Sequence, residues 1–252
     1  MKCWIWIVML LSGVAEAGCE RPWRAGYDDW PPYHYRNQEQ VLTGFAVEVL
    51  EAVAKRMDCY EVFRERPWKR TLLEVASGDL DIAMEATESE ARRRYAYFSV
   101  PYSPGVILLW VRRGEQNGAV TLEAWLEEGK RLGTTREFNY GEPIMGLLAN
   151  HANQVTPLLE EERNYGKLQL RRIDGFLGDA FATRWMLEQS GLLPNIVPHQ
   201  ARVIAIPTRF MLSKRRFDPA FVAQFNQALA AFQADREYDA LLRRYAPVGV
   251  RP

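Results

Sequence analysis

Along the first hundred positions, apolar residues at helical spacing alternate with short continuous apolar runs. Residues 45–57 carry apolar side chains at helical spacing, and residues 68–77 predict a second helix that ends at Gly78. Short apolar runs, which are typical of buried strands, lie before, between and after these helices. The order β-α-β-α-β favours an open parallel sheet with helices on both faces. The strands are expected at residues 21–26, 60–65 and 80–84.

A polar break at residues 112–118 separates this series from a second one. We place a lobe boundary at the start of the break, so that the apolar strand at 106–111 belongs to the first lobe. The second series also alternates, and two strands near 203–212 are expected to lead the chain back to the first lobe. The first lobe is then 18–111 with 207–252, and the second is 112–206. Expected elements include helices at 122–128, 144–152, 162–169, 219–234 and 238–245, and strands at 131–134, 155–158 and 173–177.

The first residues have the pattern of a secretory signal peptide at 1–17. Lys2 precedes an apolar run at 4–11, and a small-x-small site ends at Ala17. Eight helical residues rise only about 12 Å, whereas a bilayer core needs about 20 residues. We expect cleavage after Ala17, export to the periplasm and no integral membrane segment in the mature chain. A lipid anchor at Cys19 stays an alternative, although Glu16 is unusual for such a site.

Cys19 and Cys59 are the two cysteines that follow the expected cleavage site. In an oxidising compartment an even pair favours a disulfide. Each cysteine precedes a predicted strand, and the helix between makes those strands a parallel pair. Both cysteines then lie at the same edge of the sheet, so we predict a structural disulfide.

Composition and motifs exclude several classes of function. The formal net charge is zero, which gives no support for a nucleic-acid partner. We find no spacing of metal ligands, no phosphate-binding loop and no nucleophile–base pair. His34, His151 and His199 are scattered along the chain. We therefore expect no metal and no cofactor, and a binding protein rather than an enzyme.

Ordered motifs along the chain resemble the extracytoplasmic solute-binding proteins of amino-acid ABC transporters, family 3. The strongest match runs from Gly78 to Tyr102 at the family's spacing. The resemblance implies the type 2 periplasmic-binding-protein fold, in which two α/β lobes are joined by two crossover strands. It also implies a small amino-acid-like ligand, a separate transporter permease as partner and a monomer. The matched segments are Asp29-Trp30-Pro31-Pro32-Tyr33, Thr43-Gly44-Phe45, Pro67-Trp68-Lys69-Arg70, residues 78–84, 87–92 and 98–102, Arg172-Ile173-Asp174 and Asp179.

A zwitterionic ligand needs a partner for each charge when it is enclosed. Arg92 offers a planar set of donors that matches a carboxylate, and Thr87 can add a hydroxyl and a backbone N–H. Asp179 can accept from an ammonium group. By resemblance, Arg92 and Asp179 occupy the family's carboxylate-binding and amine-binding positions, on opposite lobes. The alternatives are that Arg92 is one of three surface arginines in a row and that Asp179 is a helix N-cap.

Other positions are expected to complete the site. Trp30 lies where the family often places an aromatic ring over the ligand, and Trp68 could complete an apolar clamp or belong to the core. The segment around Asn139 resembles a loop that opens a helix toward the ligand. Glu85 departs from the family, because many members have a small residue there. A carboxylate at this position would repel the ligand's own or partly neutralise Arg92, which leaves room for a cationic or differently shaped ligand.

Two other functions remain open from the sequence. The family's fold resembles that of periplasmic cyclohexadienyl dehydratases, in which case Glu85, Glu88 or Asp179 could act as a general acid. A ligand sensor that works with a separate membrane signalling protein is the other alternative.

Overall fold

The protein is built around two mixed β-sheets, each flanked by helices. The computed structural model describes residues 19, 21–136, 138–201 and 203–245, so the predicted signal peptide lies outside the described residues. The strands are β1 (Trp23–Tyr27), β2 (Tyr35–Arg36), β3 (Leu42–Thr43), β4 (Glu61–Glu65), β5 (Ile82–Ala86), β6 (Ala96–Phe98), β7 (Val106–Arg112), β8 (Leu132–Thr135), β9 (Val155–Leu158), β10 (Gly175–Asp179), β11 (Ile196–Pro198), β12 (Ile204–Ala205) and β13 (Arg209–Ser213).

The helices cover the faces of these sheets and bury their apolar sides against them. Helix ends follow ordinary capping rules, as where Gly78 adopts a left-handed conformation after the second helix. The helices are α1 (Phe45–Arg56), α2 (Trp68–Ser77), α3 (Glu90–Arg93), α4 (Leu122–Glu127), α5 (Glu142–Asn150), α6 (Glu162–Gln169), α7 (Ala180–Gln189), α8 (Pro219–Gln233) and α9 (Arg236–Tyr245).

The first sheet has the strand order β4-β1-β5-β13-β6. Strands β4, β1 and β5 run parallel, as predicted, whereas β13 is antiparallel to both of its neighbours. Every residue of β5 is buried, because helices cover this central strand on both faces. Helices α1, α8 and α9 pack together against the sheet, with Phe45, Phe225 and Phe232 in their shared core.

The second sheet has the order β11-β7-β10-β8-β9, with β12 also paired to β7. Strands β10, β8 and β9 are parallel, and β7 is antiparallel to β10. The placement of residues 106–111 in the first lobe is therefore wrong. The chain crosses over before β7, and the polar break after that strand is a loop within the second lobe. The remaining lobe boundaries stay a prediction.

Two short segments connect the lobes and hydrogen-bond to each other. The Tyr102 N–H donates to Thr208 O at 3.1 Å, and the Thr208 N–H donates to Ser103 O at 3.1 Å. The Ile206 N–H donates to Gly105 O at 2.9 Å. Gly105 has a φ of 53°, and a Cβ at this position would overlap Ile206 O. These contacts form a paired hinge, which we define as residues 102–105 and 206–208.

The predicted disulfide between Cys19 and Cys59 is confirmed. Its two Cα atoms lie 5.1 Å apart, and each cysteine precedes one of the parallel neighbours β1 and β4. The Cys19 sulfur is thus bonded to Cys59, and a thioether lipid would need the same atom. None of the helices in the described part of the chain combines the length and apolarity needed to span a bilayer.

The disulfide closes a sequence separation of 40 residues, so its loss should destabilise the fold. The chain-entropy model gives a cost of about 4 kcal/mol for a loop of this size. We expect urea unfolding of the mature protein to shift by about this free energy when a reductant is added. The Cys19→Ser/Cys59→Ser variant should show the lower stability with or without reductant. Equal stability of the oxidised and reduced wild type would contradict the prediction.

Candidate functional site

A cavity of about 460 Å³ lies between the two lobes next to the hinge. This volume is within the range typical of small-molecule pockets. Its polar residues follow the carboxyl ends of parallel strands, where ligands of open α/β sheets bind. The loop after β1, Thr87 after β5, the loop after β8 and Asp179 at the end of β10 meet there. All seven predicted ligand residues line this cavity: Trp30, Trp68, Glu85, Thr87, Arg92, Asn139 and Asp179.

One side of the Arg92 guanidinium is hydrogen-bonded within the protein. Its Nη1 donates to the Thr87 carbonyl oxygen at 2.7 Å and to Thr87 Oγ1 at 3.0 Å. The ring of Trp68 lies 5.5 Å from the guanidinium carbon, a cation–π contact. Within the described ranges, Arg92 has no ion pair with a carboxylate. Its Nε–Nη2 edge is therefore available for a bidentate contact with a carboxylate from a ligand.

Trp68 differs from the prediction in what its ring contacts. The predicted clamp had Trp30 and Trp68 closing together on the ligand. The structure instead packs Trp68 against Arg92, where it helps to fix the direction of the guanidinium. Trp30 contacts Phe138 of the second lobe, with ring centroids 6.4 Å apart. The aromatic cover of the cavity therefore comes from both lobes.

Thr87 and Asn139 connect the two lobes at the entrance of the site. Asn139 Nδ2 donates to Thr87 Oγ1 at 3.3 Å, and the Gly141 N–H donates to Asn139 Oδ1 at 3.0 Å. Thr87 Oγ1 thus accepts hydrogen bonds from Arg92 and Asn139. Since a hydroxyl carries one donor and two acceptor sites, its own proton is left to donate to a ligand.

Asp179 caps helix α7 and lines the cavity at the same time. Its Oδ1 accepts from the Phe181 and Ala182 N–H groups and from Tyr33 Oη, each at 2.9 Å. The hydrogen bonds found for this carboxyl all end on Oδ1, which leaves Oδ2 for a cavity ligand. The N-cap alternative and the ligand-binding prediction are therefore compatible. Burial raises the pKa of Asp179 to about 6.

Glu85 does not pair with Arg92, which was one of the two effects considered for a carboxylate at this position. Its Oε2 accepts from Thr208 Oγ1 in the hinge, and its Oε1 is buried without a hydrogen-bond partner. The backbone N–H of Glu85 donates to Tyr102 Oη at 2.9 Å, which holds the residue at a φ of 47°. Burial raises the pKa of Glu85 to about 8, so the group is mainly neutral at pH 7.

Glu161 is a cavity residue that the sequence analysis missed. Its Oε1 accepts from Thr183 Oγ1 and from Tyr165 Oη, the latter at 3.0 Å. Burial raises the pKa of Glu161 to about 8. A run of three glutamates before a helix is typical of an exposed surface, and the partner Thr183 is 22 residues further on. No local pattern connects the two residues.

Because Glu85 has a pKa above its ordinary value, it should make the fold more sensitive to alkali. The folded state binds this proton more tightly than the unfolded state, so the stabilising contribution is complete below pH 4.5 and is lost as the pH rises through about 8. We expect Glu85→Gln to raise the free energy of unfolding by about 3 kcal/mol at pH 7 and less at pH 5.

Urea unfolding between pH 5 and 8 measures this effect on the ligand-free protein. The control is Glu160→Gln, which alters an exposed residue paired with Arg163. Curves of stability against pH that stay parallel for wild type and Glu85→Gln would contradict the assignment.

The fold and the site define a two-lobed solute-binding protein. The chain belongs to the bacterial extracellular solute-binding proteins, family 3, whose model matches residues 24–248. It is 23% identical over 221 residues to the L-cystine-binding protein TcyJ of Escherichia coli (strain K12), covering 86% of this chain and 79% of the relative.

Two further comparisons bear on the fold and on the alternatives. A solved structure of an ancestral arginine-binding protein bound to arginine matches with a TM-score of 0.72 and 18% identity, over 89% of this chain and 97% of that one. This similarity shows the fold. A cyclohexadienyl dehydratase of Pseudomonas aeruginosa is 31% identical over 93 residues, which is 36% of this chain and 34% of the relative.

Proposed function

We propose that this protein captures a small amino-acid-like ligand by closing its two lobes around it. Arg92 on the first lobe binds the ligand's carboxylate, with Thr87 as a second donor. Asp179 on the second lobe accepts from the ligand's ammonium group. The observation that carries the proposal is that these opposite charges line one cavity from opposite lobes. Each side chain is fixed by hydrogen bonds within the protein and keeps further polar atoms for a ligand.

This arrangement couples binding to closure. A zwitterion that contacts only one lobe leaves one of its charges without a protein partner, so the ligand favours the closed form. Enclosure removes water from both charges, which is tolerable only when each charge has a partner. Tyr33 supports the closed form, because it donates to Asp179 and stacks on Phe181 across the cleft at 6.1 Å.

The place of this protein in the cell follows from the same proposal. The leader at 1–17 would direct the chain to the periplasm, where the disulfide can form. There a monomer would carry its ligand to the permease of an ABC transporter. The family of the chain and the ligand named for the cystine-binding relative support this role.

Isothermal titration of the mature protein against the standard amino acids and cystine tests the proposal. Tryptophan fluorescence in the same titrations reports closure, because Trp30 lies at the contact between the lobes. We expect at least one amino acid to bind with micromolar or tighter affinity and to change the fluorescence. Absence of binding by every amino acid would overturn the proposal.

A dehydratase is the second candidate function, favoured by one observation. Glu85 is a mainly neutral carboxylic acid at pH 7 and shares its cavity with Arg92, as a general acid beside a carboxylate-bearing substrate would. The partial similarity to the Pseudomonas enzyme points the same way. Incubation with prephenate decides between the two functions. We expect no turnover, and loss of prephenate that depends on Glu85 would replace binding by catalysis.

A further inference from the structure

Three carboxyl groups in the cavity share one arrangement. In Asp179, Glu161 and Glu85, the hydrogen bonds donated by the protein all end on a single oxygen of the carboxyl. The second oxygen has no protein donor among the described residues. For Glu85 that second oxygen is buried, and the whole residue is only 7% exposed. A buried carboxyl oxygen without a partner is costly in either protonation state and points to a ligand group that would contact it.

The cavity is lined by more acidic than basic side chains. Arg92 and the exposed Arg136 are its arginine residues, whereas six carboxyl groups line it. A bound carboxylate would use the free edge of Arg92. The acidic groups then outnumber the remaining cations, and burial keeps two of them, Glu85 and Glu161, mainly neutral until a cation binds beside them. The six acids are Asp28, Asp29, Glu85, Glu161, Glu162 and Asp179.

The position of the acids argues for a second positive group on the ligand. Glu85 belongs to β5 of the first lobe, and Glu161 directly precedes α6 of the second. Asp179 lines the same cavity as both, and a Cβ on Gly178, the residue before it, would lie 3.0 Å from Glu161 Oε1. If Asp179 binds the ammonium group next to the ligand's carboxylate, Glu85 and Glu161 still lack a partner. A second cationic group on the ligand would donate to their free oxygens and favour their ionised forms, which an apolar side chain cannot do.

We infer that the ligand is a cationic amino acid, whose side-chain ammonium or guanidinium group binds to Glu161 and Glu85. The inference rests on the proposed function and names the ligand class of the same site. A guanidinium has five N–H donors in a plane and can contact two carboxylates at once. The apolar stem of such a side chain can pack on the apolar residues of the lining, among them Trp30, Met84 and Phe138.

Pairs of ligands of similar shape test this inference in isothermal titrations at pH 7.5. Arginine is compared with citrulline, lysine with norleucine, and lysine with cadaverine, which keeps both amines but has no carboxylate. We expect arginine or lysine to bind at least about 30-fold more tightly than its neutral counterpart, as expected for sites with buried polar groups. Equal affinity for the neutral counterparts overturns the inference and leaves the proposed function standing.

Cadaverine tests the carboxylate role of Arg92 separately from the cation site at Glu161 and Glu85. Cadaverine that binds as tightly as lysine supports the cation site and overturns the role of Arg92 in the proposed function. Cadaverine that binds much more weakly than lysine supports both.

Glu161→Gln and Glu85→Gln test the two carboxyl groups one at a time. Glutamine retains an oxygen that can accept from Thr183 or Thr208, so the removed feature is the ability of the carboxyl group to ionise beside a bound cation. Each variant should lose at least about 10-fold in affinity for the cationic ligand and little for its neutral counterpart. The control Glu160→Gln changes the neighbouring exposed residue and should retain the wild-type preference. A preference that survives in both cavity variants overturns the inference.

Discussion

The Arg92→Ala variant is expected to bind the amino-acid ligand at least about 100-fold more weakly than the wild type, a loss of about 3 kcal/mol. The deletion removes a bidentate contact and leaves the ligand's carboxylate enclosed without a cation. Arg92→Lys should be nearly as weak, because an ammonium group cannot contact Thr87 and two carboxylate oxygens in one plane. Isothermal titration with the best ligand from the amino-acid panel measures both losses.

The neighbouring residue Arg93 provides a matched control. It is exposed and pairs with Glu88, so Arg93→Ala removes the same charge from the same helix. We expect its affinity to remain within about twofold of the wild type. If both alanine variants lose affinity equally, the arginine run acts through its long-range charge and not through a specific contact between Arg92 and the ligand. If Arg92→Ala binds as the wild type does, the carboxylate role is refuted.

Asp179→Asn is the second variant for which we expect a large effect. An asparagine oxygen can still accept from Phe181, Ala182 and Tyr33, so the cap of α7 should remain. The negative charge opposite the ligand's ammonium group is lost, and the amide nitrogen adds a donor where an acceptor is needed. We expect a loss of about 100-fold in affinity with little change in thermal stability.

A second aspartate cap distinguishes binding from folding in this experiment. Asp218 caps α8, with the Phe221 N–H donating to its Oδ1 at 2.8 Å, and it is not among the cavity residues. Asp218→Asn should retain both affinity and stability. If Asp179→Asn lowers the melting temperature strongly but leaves the affinity of the folded protein intact, Asp179 has a structural role only.

Local patterns in the sequence predicted much of the fold. Helices α2 and α6 and strand β9 begin and end at the predicted residues. The cavity residues between Glu85 and Arg92 were identified because they belong to one continuous motif. Their positions around the cavity agree with the prediction, and their contact with a ligand stays a prediction.

Other features depend on contacts that a local pattern does not contain. The bounds of helix α7 were not predicted, although the N-cap alternative for Asp179 implied a helix after it, because its first four residues are all buried and show no polar face. The apolar run of β7 gave no indication of which sheet it joins. The bond from Tyr33 to Asp179 connects residues 146 positions apart. The neutral state of Glu85 follows from burial, which only the assembled lobes produce.

The paired hinge has a consequence for how the two lobes close. Because residues 102–105 and 206–208 hydrogen-bond to each other, rotation of one segment without the other would break their ladder. The two crossovers are therefore expected to turn together, so that partly closed intermediates are sparsely populated. Each molecule would then be either open or closed, so a rise in solute concentration would increase the fraction of closed molecules and not the degree of closure of each one.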